Sequence, residues 1–390
     1  GVIVAPPSKS YAHRLLICAA LSTNNVTISN IVLSKDIEAT INSLRVLGKE
    51  VIINGSNATI ITDSKVQDII EFDCNESGST FRFMIPIALT TGKKVIVRGS
   101  KRLLERGILP YEEIFKNIGI KISKYNDKIE FEGKLISGKY YIQGDISSQF
   151  ISGLLFALPL VEGKSEIIVT TKLESKNYID MTIDALNKAG IVINVEDNHF
   201  YIENSRYNMK DETVEGDYSN AAFLDAFNYL DGKVLVKGLN AKSYQGDKVY
   251  KEYFEKLDKS FSSIDISNCI DLGPILFCFS AIKHGGHFIN TARLKIKESN
   301  RIDDLKIELE KFGIEVIDNS NEVIIKNDNL HKPTEILSGQ NDHRIVMALS
   351  VMLTKFGGTI KGCEAVEKSY PNFFDDLKKI NIEVIRHDEK

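Results

Sequence analysis

Near the start of the chain, Pro7-Ser8-Lys9-Ser10 and then Arg14 bring together an ammonium, a guanidinium, hydroxyls and the apparent beginning of a helix. Backbone N–H groups at a helix N-terminus are unpaired and carry partial positive charge, so this combination suits small, multiply anionic, phosphorylated molecules. Further cations fall at comparable places: Arg82, Lys101, Arg102, Arg106, Lys295, Lys297, Arg301, Arg344 and Lys368. His13-Arg14 is echoed by His343-Arg344. Two segments mix acid with base: Arg293 to Arg301, which contains Lys297 and Glu298, and Asp271-Leu272-Gly273-Pro274. Such mixtures perturb carboxylates and can move protons. For Glu298 taken alone, a structural ion pair is the competing reading.

Positioning these groups requires a scaffold that presents equivalent helix entrances, and the sequence contains one. An apolar helix introduced by small polar residues recurs six times: SKSYAHRLLICAAL, SGSTFRFMIPIAL, ISSQFISGLLFALPL, YSNAAFLDAF, DLGPILFCFSA and NDHRIVMALS. The starts are spaced by roughly 70 residues, with one shorter interval, a period longer than most solenoid repeats. A second helix recurs in step: DIEATINSLRVLG, LPYEEIFKNIG, YIDMTIDALNKAG, VYKEYFEKLD, RIDDLKIELEKFG and FFDDLKKIN. It has apolar residues at helical spacing, acidic first turns and, in four cases, a terminal Gly suited to a C-cap. Strand-like runs such as KKVIVRG, SEIIVTT and KVLVKGL lie between the two helices.

The first helices are apolar around most of their circumference and should be buried, with the second helices outside. Three units per domain is the natural division, with the break near residues 215–217. The fold class is α/β (α+β): residues 1–7 plus 216–390 form one discontinuous domain of three β/α units, and 8–215 form the other. The leading Ser, Gly, Asp and Asn residues also make ordinary N-caps. That explains each entrance singly but not the cations that accompany them.

Composition narrows the function further. At 390 residues and 43% hydrophobic content the chain can bury two cores of ordinary size. A net charge of −4 argues against a general nucleic-acid or membrane-surface binder. Cys18, Cys74, Cys269, Cys278 and Cys363 lack C-x-x-C spacing, which suggests neither a zinc cluster nor a disulfide framework and suits a reducing cytoplasm. No apolar run approaches the roughly 20 residues that span a bilayer. Gly1 opens directly on a strand-like VIVAPP, which suggests a trimmed start. His284 and His287 flank Gly285-Gly286 without a third ligand, and Cys363 has no visible catalytic partner, so neither a metal nor a thiol nucleophile is expected. G-x-G-x-x-G and P-loop motifs are missing, so no nucleotide cofactor is expected.

The motifs PSKSYAHR, SGSTFR, RLLER, SSQF, SKNYIDMT, DLGP, LKIKESNRI, NDHR and KSYP stand in the order typical of one family, which the whole chain resembles: 3-phosphoshikimate 1-carboxyvinyltransferase, or 5-enolpyruvylshikimate-3-phosphate synthase. The resemblance implies the enolpyruvyl transferase fold, in which each of two domains holds three β/α units around near-parallel buried helices, with two chain crossovers and the active site in the cleft. It implies transfer of the carboxyvinyl group of phosphoenolpyruvate to the 5-hydroxyl of shikimate 3-phosphate by addition and elimination, on the route to chorismate and the aromatic amino acids. No cofactor and no metal are implied, and the expected protein is a cytoplasmic monomer that binds these two small molecules rather than nucleic acid or membrane.

By the same resemblance, shikimate 3-phosphate is bound by Lys9, Ser10, Arg14, Ser147, Ser148, Gln149, Ser175, Asp271, Arg293 and Lys297. Phosphoenolpyruvate is bound by Lys9, Gly78, Arg102, Gln149, Arg301, Arg344 and Lys368. Asp271 is the implied base at the hydroxyl, and Glu298 with Lys9 protonates and later deprotonates the methylene. The chain departs from the family pattern at Glu76, where many members have Asn, at Gly107, where Pro is usual, at Arg293, often Asn, and at Phe83, often Pro. Asn75 is the alternative donor if the loop at Glu76 shifts. Gly78 rather than Ala implies sensitivity to glyphosate, a phosphoenolpyruvate mimic. The sister transferase acting on UDP-N-acetylglucosamine would be expected to carry a Lys-Asn pair and a cysteine near Lys101–Arg106, which this chain lacks. A non-catalytic relative would be expected to have lost Lys9, Asp271 or Glu298.

Overall fold

The computed structural model describes residues 1–62 and 66–387. The chain forms two compact units, Pro7–Glu215 and a discontinuous one of Gly1–Pro6 with Gly216–Lys390. Each has its own apolar core. Among the described residues no helix is long and apolar enough to cross a membrane.

The unit Pro7–Glu215 contains α1 (Lys9–Leu21), α2 (Lys35–Val46), α3 (Gly78–Leu89), α4 (Lys101–Arg106), α5 (Leu109–Asn117), α6 (Ser148–Ala157) and α7 (Lys176–Lys188). The discontinuous unit contains α8 (Tyr218–Asp225), α9 (Tyr250–Lys259), α10 (Gly273–Ile282), α11 (Arg301–Glu310), α12 (His343–Phe356) and α13 (Phe373–Lys379). Helices α1, α3, α6, α8, α10 and α12 are buried on nearly every side, as their unbroken apolar sequences require. The outer helices α2, α5, α7, α9, α11 and α13 each keep one exposed face. Gly48, Gly119, Gly190 and Gly313, which close four outer helices, have φ between 77° and 83°, the left-handed C-cap conformation that a Cβ disfavours. One outer helix departs from its pattern. Helix α7 begins two residues earlier than YIDMT suggests, so Asp180 is not in its first turn and instead pairs with Lys176 at 2.7 Å.

Among the described residues four sheets share one topology. In each, a first strand runs parallel to a second, and two further antiparallel strands follow. In the sheet containing α3's flanking strands, Ile69–Asp73 pairs in parallel with Lys94–Arg98, which pairs antiparallel with Lys128–Glu132 and onward to Lys121–Lys124. The strand pairs that flank α6 and α10 repeat this arrangement. A parallel pair needs a crossover, and the buried helix provides it, so that helix starts just beyond the carboxyl end of the first strand. Ligands of open α/β sheets collect at that end of the strands. At the chain's two passages between units the partners are exchanged. Val2–Val4 pairs with Leu235–Lys237, and Glu212–Thr213 pairs with Val26–Ser29.

Within α3, Pro86 cannot donate a backbone hydrogen bond to the carbonyl of Arg82, four residues earlier. The Tyr111 hydroxyl lies 2.7 Å from that carbonyl and donates to it, sharing its position with the Phe150 carbonyl at 3.0 Å. This crossing of α3 and α6 needs Gly153, because a Cβ there would lie 2.1 Å from the Tyr111 hydroxyl and 2.4 Å from the Arg82 carbonyl. Arg82, one turn past the α3 entrance, is thereby fixed from its backbone.

Candidate active site

In the unit Pro7–Glu215, three buried helices present capped entrances. Ser8, Ser77 and Ser147 accept backbone hydrogen bonds from Tyr11, Thr80 and Gln149 respectively. Lys9, the first residue of α1, reaches Asp36 of α2 at 2.6 Å. Buried hydroxyls tie the entrances together: His13 Nδ1 lies 2.8 Å from Thr40 Oγ1, which is 2.7 Å from Thr80 Oγ1, itself 2.7 Å from Ser77 Oγ. Burial, reinforced by Lys9 and Arg14, holds the His13 imidazole well below its ordinary pKa, so it is neutral and leaves the local charge to those two residues.

Arg14 is almost wholly buried, and its guanidinium donates to Thr182 Oγ1 at 2.9 Å, the Ser10 carbonyl at 2.8 Å and the Tyr178 carbonyl at 3.1 Å. The Phe83 ring lies beneath it, 5.1 Å from centroid to Cζ. Phe83, a departure from the family pattern, thus provides an aromatic face that a Pro would not. Burial pushes the Arg14 guanidinium down to about 10, and it remains charged at neutral pH. Ser175 sits at the start of α7 with φ 54°, a left-handed position for a side-chain-bearing residue, and its hydroxyl does not cap the helix.

Gly78 opens α3. A Cβ there would stand 3.0 Å from Arg82 Nη1 and 3.1 Å and 3.2 Å from the two terminal nitrogens of Arg106, so the missing side chain lets two guanidinium groups approach this helix entrance. Arg82 Nη1 donates to Gln149 Oε1 at 2.6 Å, and Gln149 Nε2 donates to Ser79 Oγ at 3.0 Å. Gln149 is therefore oriented by α3. Ser148 is buried beside it. Arg102 lies in the first turn of α4, capped by Ser100, while Lys101 beside it is largely exposed and its ammonium lies 3.9 Å from Glu105. Gly107 has φ 68°, which a Pro ring cannot adopt, and this accounts for its place in the family's usual Pro position. Asn75, also left-handed at φ 52°, accepts from the Ser100 N–H through its carbonyl at 2.7 Å.

In the discontinuous unit, Asp271 does not cap α10, whose N-cap is Leu272 with no side-chain bond. Its carboxylate instead meets three cations: Arg301 Nη1 at 3.1 Å, Lys297 Nζ at 3.2 Å and Arg344 Nη2 at 3.4 Å. Arg301 continues the network, with Nη2 donating to Glu298 at 2.8 Å and Nε to Asp342 Oδ2 at 2.8 Å. Burial alone would lower the Arg301 guanidinium, but Asp342, Glu298 and Asp271 hold it above its usual value. Asp342 is likewise opposed by burial and kept ionised by Arg301. Burial lowers the Lys297 ammonium, while Asp271 and Glu298 pull it back up. Asp342 also caps α12 by accepting from the Arg344 N–H at 2.9 Å. The preceding residue, Asn341, accepts from Lys368 Nζ through its carbonyl and, at 3.0 Å, through Oδ1.

Five of the expected residues, Asp271, Lys297, Glu298, Arg301 and Arg344, are thus joined in one network, and Lys368 is joined to its edge through Asn341. Arg293, whose charge also acts on Lys297, donates to the Ser267 carbonyl. Lys295, counted among the repeat's cations, forms an ion pair with Asp318 at 2.6 Å. Sequence reasoning missed Asp36 and Asp342, which read there as first-turn and N-cap acids, and Arg82 and Arg106 as neighbours of Gly78. It also missed Asp247, fully buried, whose carboxyl burial and the nearby Asp271 push up to about 7.

Residues 1–377 match the family described as EPSP synthase (3-phosphoshikimate 1-carboxyvinyltransferase). This chain belongs to that family. A Clostridium acetobutylicum protein named 3-phosphoshikimate 1-carboxyvinyltransferase is 41% identical, over 98% of this chain and 96% of its own length. A Clostridium kluyveri protein of the same name is 39% identical with the same coverage. The fold is that of EPSP synthase from Acinetobacter baumannii, with a TM-score of 0.79 at 18% identity over 97% of this chain and 95% of that one. The enolpyruvyl transferase NikO from Streptomyces tendae has a TM-score of 0.73 at 13% identity, covering 98% and 94% of the two chains.

Proposed function

We propose that this chain transfers the carboxyvinyl group of phosphoenolpyruvate to the 5-hydroxyl of shikimate 3-phosphate, giving 5-enolpyruvylshikimate 3-phosphate and phosphate. Family membership over nearly the whole chain supports the reaction. The observation that carries its chemistry is the partly buried network of Asp271, Glu298 and three cations. Addition needs a proton delivered to the methylene carbon while the hydroxyl oxygen, losing its own proton, bonds to the adjacent carbon. The resulting tetrahedral intermediate then loses a methyl proton and phosphate.

In this reading Asp271 takes the hydroxyl proton, and Glu298 with Lys9 delivers and removes the methylene proton. The phosphate and carboxylate of phosphoenolpyruvate draw Arg301, Arg344, Lys368 and Arg102 to themselves, with the Gly78 N–H and Gln149 adding neutral donors. As those cations turn toward the ligand, Asp271 is released to act on the hydroxyl. Lys9, Ser10, Arg14, Ser147, Ser148, Gln149, Ser175, Arg293 and Lys297 hold shikimate 3-phosphate. We propose a monomer acting in the cytoplasm, where five free thiols suit reducing conditions.

A phosphate-release assay tests the reaction. Phosphate should appear from phosphoenolpyruvate when shikimate 3-phosphate is added, and not with UDP-N-acetylglucosamine or alone. Release with the nucleotide sugar only would assign the sister activity, and no release with either would indicate a non-catalytic relative.

A further inference from the structure

The segment between strand Leu337–Ser338 and α12 carries much of the proposed donor site: Asn341 holds Lys368, Asp342 holds Arg301, and Arg344 follows. Two consecutive residues of this segment, Gln340 and Asn341, have φ of 51° and 52°. Side-chain-bearing residues disfavour that left-handed backbone, and a pair of them persists only where the surroundings hold it.

What holds it is Glu308, in the last turn of α11 and fully buried. Its Oε2 accepts from the Ser338 N–H at 2.9 Å and from Lys311 Nζ at 2.8 Å. Its Oε1 accepts from Gln340 Nε2 at 2.9 Å. The Gln340 N–H in turn donates to Ser338 Oγ at 3.2 Å. A buried carboxylate is tolerated only when its oxygens are satisfied, and here two of the three donors come from the strand end, Ser338, and the strained residue Gln340 just after it. Helix α11 therefore grips the segment twice, through Arg301 and Asp342 at its start and through Glu308 roughly 10 Å further along its axis.

Resting on the function proposed above, we propose that Glu308 is a positioning residue for phosphoenolpyruvate: it holds the Ser338–Asp342 segment in the conformation that aims Arg301, Arg344 and Lys368. Glu308 touches none of the reacting atoms, so its removal should affect the donor site selectively.

The test compares wild type with Glu308→Ala, Glu308→Gln and Gln340→Gly, varying each substrate in the phosphate-release assay. Gln340→Gly removes the amide that Glu308 grips while relieving the left-handed strain, so it keeps the fold if Glu308→Ala does not. A core variant, Phe254→Leu, whose parent ring stacks on Phe279 at 4.4 Å, serves as the control for general loosening. KM for phosphoenolpyruvate should rise at least tenfold in Glu308→Ala and at least threefold in Gln340→Gly, with KM for shikimate 3-phosphate within threefold. Glu308→Gln, which keeps an acceptor, should stay within threefold for both. Hydrogen exchange at the amides of residues 339–344 should quicken at least tenfold in Glu308→Ala and not in Phe254→Leu, whether or not the protein turns over. Unchanged exchange, or equal rises in both KM values, would overturn the proposal. An inactive wild type with this exchange pattern would instead count against the proposed reaction while leaving the positioning role standing.

Discussion

Arg301 and Asp342 form an ion pair in which both side chains are sealed from water, at 1% and 0% exposure. Arg301 begins α11 and Asp342 caps α12, so the pair joins the starts of two helices. Asp342→Ala would leave the guanidinium with two of its three carboxylates and α12 without its cap. A broken buried pair costs about 3–5 kcal/mol. Denaturant unfolding should show a loss of that order, and KM for phosphoenolpyruvate should rise at least tenfold; a loss near zero would mean the pair is not sealed in solution.

Lys9 meets Asp36 at 2.6 Å on the adjacent helix start. Lys9→Met removes the ammonium but keeps much of the stem. Because proton transfer contributes roughly 10²–10⁴ in rate, kcat should fall by about that factor. Stability should fall by about 1.5–3 kcal/mol from the lost charge-assisted bond to Asp36. Parallel losses of activity and stability would contradict a chemical role for Lys9.

Gly78→Ala would place a methyl group 3.0–3.2 Å from the guanidinium ends of Arg82 and Arg106. Those ends are flexible and need to move by only a few tenths of an ångström, so the fold should survive. The wild type should be inhibited by micromolar glyphosate at low phosphoenolpyruvate, and Gly78→Ala should raise the inhibition constant more than KM for phosphoenolpyruvate. Equal rises would show that the methyl group does not discriminate the two ligands.

Asp247 keeps its proton to about pH 7 in the folded chain, against the usual 3.8. Between those values the folded state holds a proton that the unfolded chain has released. This group's contribution to stability therefore falls as pH rises from about 4 to 7 and is flat above that. Asp247→Asn has no proton to lose, so its stability relative to wild type should climb across the same interval, by at most about 4 kcal/mol at roughly 1.4 kcal/mol per pH unit. Denaturation midpoints measured from pH 4 to 8 give the comparison, and a constant difference would contradict the assignment.

Much of the fold was legible because it is written locally. Ser8, Ser77 and Ser147 announce their helices, four glycines close the outer ones, and the buried helices are apolar throughout. What was not legible depends on residues distant in sequence. Asp271 has the look of an N-cap, yet Arg301, Lys297 and Arg344 claim its carboxylate. Asp36 and Asp342 read as helix-start acids because nothing local reveals Lys9 or Arg301 as partners. Glu308 resembles any outer-face acid of LKIELEKFG until the strand 30 residues later supplies the Ser338 N–H. The early start of α7 was hidden because Ser175 adopts a left-handed backbone that no sequence pattern marks.

The proposed reaction is addition and elimination, with a proton delivered to the methylene carbon and later removed. Turnover of phosphoenolpyruvate and shikimate 3-phosphate in deuterium oxide, read by proton NMR of the product, tests it directly. A methyl group formed with solvent deuterium loses either isotope on elimination, so deuterium should enter the vinyl group of 5-enolpyruvylshikimate 3-phosphate. Product formed with an undeuterated vinyl group would contradict protonation of the methylene carbon.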